Sequence, residues 1–403
     1  MPARRSRLPE GFGPVWGCVL LDLVGFGIVL PILPLWAERF GARPATVGAL
    51  VATFSAFQLA CAPLWGRLSD RVGRKPVLVL SLAGTAAGSL LTGLAGSLAL
   101  LFIARAVDGM SGASVGVAQA AVADLAEPSE RPRLLGFIGA AFGLGFVAGP
   151  ALGALAALGG PRVPFLVAAG LAAGNALVAL FRLPETNSRR RSRRPGDQDP
   201  EPAAPPAWRR PLLARLLLVA FTSLVAFSAF EATFSLFGER RLGLELVSTG
   251  TVFAGIGLAV VAANAGLVGP AVRALGELGA LRLGLALDGA GLVLLALTRS
   301  WTVLVPALLA LTGGQGLITP ILSSSVAGAV APERRGSALG LQQAAGGLAR
   351  VVGPLGGGFA FQRLGVPTPY LAGAVLLALC VPVVPRRARS GTGRLPLPHA
   401  RAR

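Results

Sequence analysis

Charged residues are scarce in this chain of 403 residues: they make up 14% of it, while 53% is hydrophobic. A soluble domain carries about 25% charged residues, so this chain lacks the polar surface that water requires. Histidine is almost absent, since the single His399 lies in an Arg-rich tail. No residues are left for His-centred metal sites or His-dependent catalytic triads. We therefore expect no enzyme, no metal site and no bound cofactor.

Cysteine is also rare. The three cysteines, Cys18, Cys61 and Cys380, are odd in number and lie inside apolar runs, which favours packing over a disulfide framework. The net charge of +19 would suggest a nucleic-acid partner in a soluble chain. Here the basic residues fall mostly between apolar runs, so we expect the lipid bilayer as a partner and no nucleic acid.

Long apolar runs are what the sequence has instead. Twelve stretches approach the roughly 20 residues that a helix needs to cross about 30 Å of hydrocarbon. They are 14–36, 45–66, 76–94, 98–123, 134–157, 162–182, 214–237, 247–268, 279–298, 301–325, 336–361 and 366–385. The pattern predicts an all-α membrane protein with twelve transmembrane helices.

The basic residues predict the orientation of these helices. Most of the 37 Lys and Arg residues lie in the tails, 1–13 and 386–403, in the segment 183–213 and in the loops of the same side. Because basic loops stay in the cytoplasm, both termini are expected inside, in a multi-pass protein of the inner (plasma) membrane. The Pro-rich, Arg-rich segment 183–213 reads as a cytoplasmic linker between two bundles, 14–182 and 214–385.

The two halves resemble each other. A shift of 204 positions superposes Pro128 on Pro332, Arg131 on Arg335, Gly136 on Gly340, and Gly149-Pro150-x-x-Gly153 on Gly353-Pro354-x-x-Gly357. The duplication predicts two pseudo-symmetric six-helix bundles. In membrane proteins built from two such bundles, a substrate site lies near the midplane between the halves, and the halves rock to give access from alternate sides.

The loop after the second span carries a family resemblance. It reads Gly66-Arg-Leu-Ser-Asp70-Arg71-Val-Gly73-Arg74-Lys75 and closely resembles the signature of the major facilitator superfamily, a match that extends over 12–385. The resemblance implies that this motif gates transport. Asp70 is placed to meet the positive N-terminus of span eleven near 336 and so to close one face. The alternative is a basic loop that only obeys topology.

The first span narrows the resemblance. Its pattern Leu21-Asp22-x-x-Gly25-x-Gly27-x-x-x-Pro31-x-x-Pro34 is similar to that of the twelve-span tetracycline and multidrug proton antiporters. The resemblance implies a small-molecule substrate and protons as partners, and we expect the chain to act as a monomer.

Span four contains Arg105-x-x-Asp108-Gly109-x-x-Gly112-x-x-x-Gly116. The spacing predicts that Arg105 and the three glycines share one helical face. Arg105 resembles the arginine of the family's motif in this helix, which implies proton coupling. The alternative is an ordinary i, i+3 ion pair with Asp108.

Span five ends in Gly143-x-Gly145-x-x-x-Gly149-Pro150-x-x-Gly153, which resembles the glycine-proline motif of exporters in this superfamily. We expect Gly145, Gly149 and Gly153 to let another helix lie against span five, and Pro150 to bend it. Generic packing of small residues in a membrane is the alternative.

Ionisable residues inside the spans indicate where a functional site lies. They are Asp22, Asp108, Glu231 and Asp288 against Arg105 and Arg350. An ionised group at the bilayer centre costs at least about 2.5 kcal/mol, so each is a candidate for a functional site. Acids exceed bases, and a carboxylate that binds either a proton or a cationic drug, but not both, provides the competition that antiport needs.

Position ranks these candidates. Asp22 and Asp108 fall near the midplane, whereas Glu231 falls near the outer end of span seven. There it is expected either to extend its carboxylate to the membrane surface or to pair with Arg240 or Arg241. Arg350 either neutralises an acid or is structural, and Asp288 is either a site or a packing partner. Gln315 either reaches a central cavity or forms an interhelical hydrogen bond.

Taken together, these features predict a proton-coupled exporter of a small amphipathic drug, tetracycline-like or another. One alternative is a superfamily member that moves a metabolite or sugar in either direction. A second alternative is a membrane scaffold or sensor that does not transport.

Overall fold

The computed structural model describes residues 8–127, 130–186, 211–331 and 334–385. These ranges form thirteen α-helices: α1 (Phe12–Glu38), α2 (Pro44–Val72), α3 (Arg74–Gly93), α4 (Leu98–Ser111), α5 (Ser114–Leu125), α6 (Arg131–Ala157), α7 (Val163–Arg182), α8 (Pro211–Leu242), α9 (Leu246–Gly266), α10 (Val268–Leu297), α11 (Trp301–Gly328), α12 (Arg335–Leu364) and α13 (Thr368–Cys380). Since α4 and α5 form one interrupted crossing, the helices make the twelve predicted spans. The predicted tails and most of the predicted linker lie outside the described residues.

Two predictions about span boundaries were wrong. Span four is not continuous, because the backbone leaves helical geometry at Gly112, with φ −70° and ψ 55°. The segment 269–278, expected as the loop between the spans 247–268 and 279–298, is helical from Val268 and turns sharply at Gly276, with φ 71° and ψ 167°. Glycine reaches such a positive φ without the steric cost that a side chain would add.

The duplicated glycine-proline motif has the same packing role in each half. In the first half, a Cβ atom on Gly149 would lie 2.6 Å from the Cα atom of Gly27, so α6 and α1 meet backbone to backbone. In the second half, a Cβ on Gly353 would lie 2.6 Å from the carbonyl oxygen of Val225, so α12 meets α8 in the same way. The sequence repeat is therefore a structural repeat.

The two halves meet along α2 with α12 and along α6 with α9. We call the face where α7 ends and α8 begins the linker face, and the opposite one, where α1 ends and α2 begins, the distal face. Near the distal face the seam is tight: a Cβ on Gly358 would lie 2.5 Å from the carbonyl oxygen of Pro44, and one on Gly250 would lie 3.1 Å from that of Pro150.

Polar contacts also join the halves at the distal face. The Ser235 hydroxyl donates to the carbonyl of Pro31 at 2.7 Å, and the backbone N–H of Ala45 donates to Gln362 at 3.1 Å. Toward the linker face, by contrast, Gly66, Gly139 and Gly340 would each carry a Cβ without meeting another atom within 4 Å. The bundles thus pack tightly against each other at the distal face, whereas these three positions toward the linker face border open space.

Candidate functional site

Asp22 lies near the middle of α1 and is held by a helix that starts beside it. The hydroxyl of Ser114, the first residue of α5, donates a hydrogen bond to the Asp22 carboxylate. Phe26 lies one turn further along α1, and its ring packs 5.5 Å from the ring of Phe54. Asp22 also interacts electrostatically with Asp108. Two carboxylates predicted near the midplane therefore belong to one cluster.

Arg105 and Asp108 form a buried ion pair in α4. Arg105 Nη1 lies 2.7 Å from Asp108 Oδ2, and the two residues are 4% and 5% exposed. The Arg105 guanidinium also lies over the Phe54 ring, 4.5 Å from its centroid, and Thr85 donates a hydrogen bond to Asp108. The i, i+3 pairing that the spacing allowed is the arrangement found, and it does not exclude a part in coupling.

The charge balance of this cluster is uneven. Arg105 supplies one positive charge against the carboxyls of Asp22 and Asp108. The carboxyls outnumber the base by one, and an uncompensated charge within the bilayer is costly.

The glycines of span four do not share one face as predicted, because the helix is interrupted at Gly112. A Cβ on Gly109 would collide with the Phe54 backbone, and one on Gly112 would lie 2.6 Å from Gln58 Nε2. Gly116 lies beyond the interruption and would meet nothing within 4 Å. The first two glycines therefore admit α2, while Gly116 has no such contact.

Glu231 of α8 interacts electrostatically with Arg350 of α12. The expected pairing of Glu231 with Arg240 or Arg241 was wrong, since Arg240 instead bonds Glu38 across the seam at 3.3 Å. Glu231 is half-buried and Arg350 is exposed. Two opposite charges of the second bundle thus approach each other at membrane depth.

Gln315 does not reach a central cavity. Its Nε2 donates to Asp288 Oδ2 at 2.7 Å, between α11 and α10, and the two residues are 8% and 1% exposed. The interhelical hydrogen bond was therefore the correct alternative. Among the described residues Asp288 Oδ1 has no hydrogen-bond partner, so this carboxyl is held in the bundle by one amide.

The loop motif at residues 66–75, predicted to gate transport, forms a network on the linker face. Arg74 is 8% exposed and bonds Asp70 at 2.7 Å, Asp124 at 2.9 Å and the Ser69 hydroxyl at 2.6 Å. Gly73 has a φ of 119°, which places the chain for the start of α3. Gly66 and Arg71 are exposed, and Lys75 is half-buried. Contact of Asp70 with the start of α12 stays a prediction.

Sequence reasoning missed two acids of this network. Glu185 accepts from the backbone N–H groups of Arg74 at 2.8 Å and Lys75 at 3.2 Å, so it caps α3. Asp124 of α5 binds Arg74 from the other side. Both lie more than 45 residues from Arg74 in sequence, so only their acidic type near the end of a span could have drawn attention.

The glycine-proline motif of α6 joins the helix of Asp22 to the seam. Cβ atoms on Gly145 and Gly153 would lie 2.7 Å from Leu23 Cβ and 3.1 Å from the carbonyl oxygen of Ile28. The carbonyl of Pro150 faces Gly250 of α9. As expected, another helix lies against this motif, and that helix is α1.

Two repeated six-helix bundles around buried charges, packed tightly against each other at one face, are typical of a secondary transporter of the membrane. The sequence model of the Major Facilitator Superfamily matches residues 15–313 and 267–401. The chain belongs to this superfamily of small-molecule transporters.

Two individual proteins are similar to this chain over most of its length. The chain is 34% identical over 376 residues to the tetracycline resistance protein, class D, of Salmonella ordonez, covering 90% of this chain and 94% of that protein. The crystal structure of the human organic anion transporter MFSD10 (TETRAN) superposes with a TM-score of 0.71 at 28% identity, over 94% of this chain and 100% of that one.

A third likeness concerns the fold alone. The crystal structure of a bacterial homologue of the human lysosomal transporter Spinster, in an inward-facing and occupied conformation, gives a TM-score of 0.76 at 15% identity. It covers 93% of this chain and 95% of that one.

Proposed function

We propose that this protein exports a tetracycline-like or similar amphipathic drug in exchange for protons. The observation that carries the proposal is the cluster of Asp22, Asp108 and Arg105, in which Arg105 pairs with Asp108 and Asp22 has, within the described part of the chain, only the Ser114 hydroxyl as a hydrogen-bond partner. Its residual negative charge accepts a proton or a cationic drug, and occupancy by one displaces the other.

The conformation supports the order of steps. The distal seam is tight, so a drug reaches the cluster from the linker face, which the basic residues predict to be cytoplasmic. Rocking of the bundles 14–182 and 214–385 about the seam then opens the distal face. There the drug leaves and a proton takes its place, and the protonated cluster returns to the first state.

A drug is proposed as the substrate because of the chain's similarity to known proteins as well as because of the charges in the Asp22 cluster. Tetracycline resistance proteins are similar to this chain over most of its length. The glycine-proline contact of α6 with α1 links the helix of Asp22 to the seam, so that a change of charge at Asp22 is mechanically connected to opening.

An organic anion is the second candidate substrate. The similarity to the human organic anion transporter favours it, as does the exposed Arg350, whose electrostatic partner is Glu231. A carboxylate or sulfonate on a substrate would replace Glu231 as the partner of Arg350.

Transport into proteoliposomes separates these candidates. The purified protein is reconstituted, a pH gradient is imposed, and uptake of radiolabelled tetracycline is compared with uptake of an amphipathic organic anion. Gradient-dependent tetracycline uptake that survives Arg350→Gln supports drug antiport. Anion uptake that is lost in Arg350→Gln, with no tetracycline uptake, supports the second candidate. If neither tetracycline nor the organic anion is taken up but a sugar or metabolite is, drug export is refuted.

A further inference from the structure

The interruption between α4 and α5 is held by side chains of neighbouring helices. A break in a membrane helix leaves backbone groups without helical partners, and in hydrocarbon each such group costs several kcal/mol unless something else bonds it. Here the donors come from α2. Trp65 Nε1 donates to the Met110 carbonyl at 2.5 Å, and Gln58 Nε2 donates to the Gly112 carbonyl at 3.1 Å.

Ser81 of α3 bridges the two sides of the break. Its hydroxyl donates to the carbonyl of Ser111, the last residue of α4. The same hydroxyl oxygen accepts the backbone N–H of Ala113 at 3.2 Å, directly before α5. Ser81 is itself fully buried. Because the Ala113 N–H also donates to the Ser111 carbonyl at 2.7 Å, the Ser81 hydroxyl gives each of these two backbone groups a second hydrogen bond and braces the turn between the helices.

The break decides where α5 starts, and α5 starts at Asp22. Four backbone N–H groups at a helix start have no partner in the helix and carry partial positive charge. Ser114 is the first residue of α5, and its hydroxyl donates to the Asp22 carboxylate. In a continuous helix this N-terminus would not exist.

We propose that Gln58, Trp65 and Ser81 are positioning residues for Asp22: by holding the break open they keep Ser114 and the first turn of α5 against the carboxylate and favour its ionised form. The proposal rests on the proposed role of Asp22 in exchanging a proton for the substrate. It adds an indirect route: side chains of α2 and α3 influence the protonation of Asp22 on α1 through the start of α5, although Ser81 does not bond Asp22 itself.

Other groups also act on Asp22 and are left unchanged by the test. From α4 it faces Asp108, which is paired with Arg105, and on its own helix it interacts with Cys18. The variants described next alter none of these three.

Carbodiimide labelling tests the proposal without requiring transport. Dicyclohexylcarbodiimide reacts with protonated carboxyls in membranes, so labelling of the Asp22 peptide, followed by mass spectrometry against pH, reports its protonation. In Ser81→Ala and in Ser114→Ala we expect the midpoint of labelling to move to higher pH by about one unit, because the carboxylate loses a stabilising donor. Ser81→Thr, which keeps the hydroxyl, is expected to match the wild type.

Ser89→Ala is the matched control, because Ser89 is a buried serine of the same helix, two turns beyond Ser81. Its midpoint is expected to stay at the wild-type value. If Ser81→Ala does not fold, Gln58→Leu provides the same test from α2. A midpoint in Ser81→Ala or Gln58→Leu equal to that of Ser89→Ala would overturn the proposal.

Drug-dependent proton movement in the wild type is measured in parallel. Its absence together with the labelling shift would refute the proposed exchange and leave the positioning of Asp22 standing. Its presence without the labelling shift would refute the positioning and leave the exchange standing.

Discussion

At the residue scale, a few buried charged side chains have a large effect on the stability of the first bundle. Arg105 and Asp108 bond each other within α4, and Phe54 covers the guanidinium. Removing one member of such a pair strands the other in a medium of low dielectric constant, which typically costs about 3–5 kcal/mol. The intact pair is therefore expected to matter for the stability of the first bundle.

We expect Asp108→Asn to lower stability by an amount in that range, about 3–5 kcal/mol. The measurement is the thermal unfolding of the purified protein in detergent. Asp70→Asn is the control, because the Asp70 side chain is 63% exposed and its ion pair is worth less than about 1 kcal/mol. Equal unfolding temperatures for the two variants would show that the buried pair is not stabilising.

Local spacing predicted only part of these contacts. The pairing of Arg105 with Asp108 could be anticipated, because residues three apart share a helical face. The contact of Ser114 with Asp22 spans 92 positions. Glu231 was assigned the wrong arginine, because Arg240 is close in sequence whereas Arg350 comes from a different helix. Tertiary packing, which one sequence does not reveal, decides such partners.

The interruption of span four shows the same limit at the scale of elements. The run around Gly112 is apolar and long enough for one helix, and hydropathy alone favours a continuous span. The hydrogen bonds that stabilise the break come from outside the run, from Gln58 and Trp65 of α2 and Ser81 of α3. The helical start of α10 was missed for a related reason, since Gly276 allows two helices to join without a loop.

The seam between α6 and α9 depends on a glycine. A Cβ on Gly257 would lie 2.7 Å from the carbonyl carbon of Phe146, which is closer than packed atoms approach. We expect Gly257→Ala to weaken closure of the distal face. In a cysteine-free background that carries Ser235→Cys, labelling by a maleimide added from the distal side should rise several-fold, because Ser235 is fully buried in the closed seam.

Gly255→Ala is the control for this prediction, because Gly255 lies on the same helix and would meet nothing within 4 Å. Labelling of Ser235→Cys should be unchanged there. The same increase in both variants would show that the α6–α9 contact does not close the distal face.

At the scale of the whole molecule, the architecture was the most predictable feature. Twelve apolar stretches and a repeat at a spacing of 204 are global patterns that survive errors at individual boundaries. The sequence did not predict the conformation. Both states of a rocking transporter use the same helices, and they differ in which face is sealed.

Cross-linking the distal seam should stop transport. Ala45→Cys and Gln362→Cys place one thiol on each bundle, where the native groups are joined by a hydrogen bond. We expect a short, reducible bifunctional thiol reagent to join them in membranes and to abolish substrate uptake, which reduction then restores. Uptake that continues in the fully cross-linked protein would contradict rocking about this seam.

The central claim, exchange of a substrate for protons at Asp22, is tested most directly by proton release from energised inverted vesicles, followed with a pH-sensitive dye. Addition of tetracycline should trigger proton movement in the wild type, and Asp22→Asn, which keeps the size of the side chain but removes its titration, should abolish it. Proton movement of wild-type size in Asp22→Asn would contradict the role of this residue. A wild type in which no drug of a broad panel moves protons would contradict drug antiport itself.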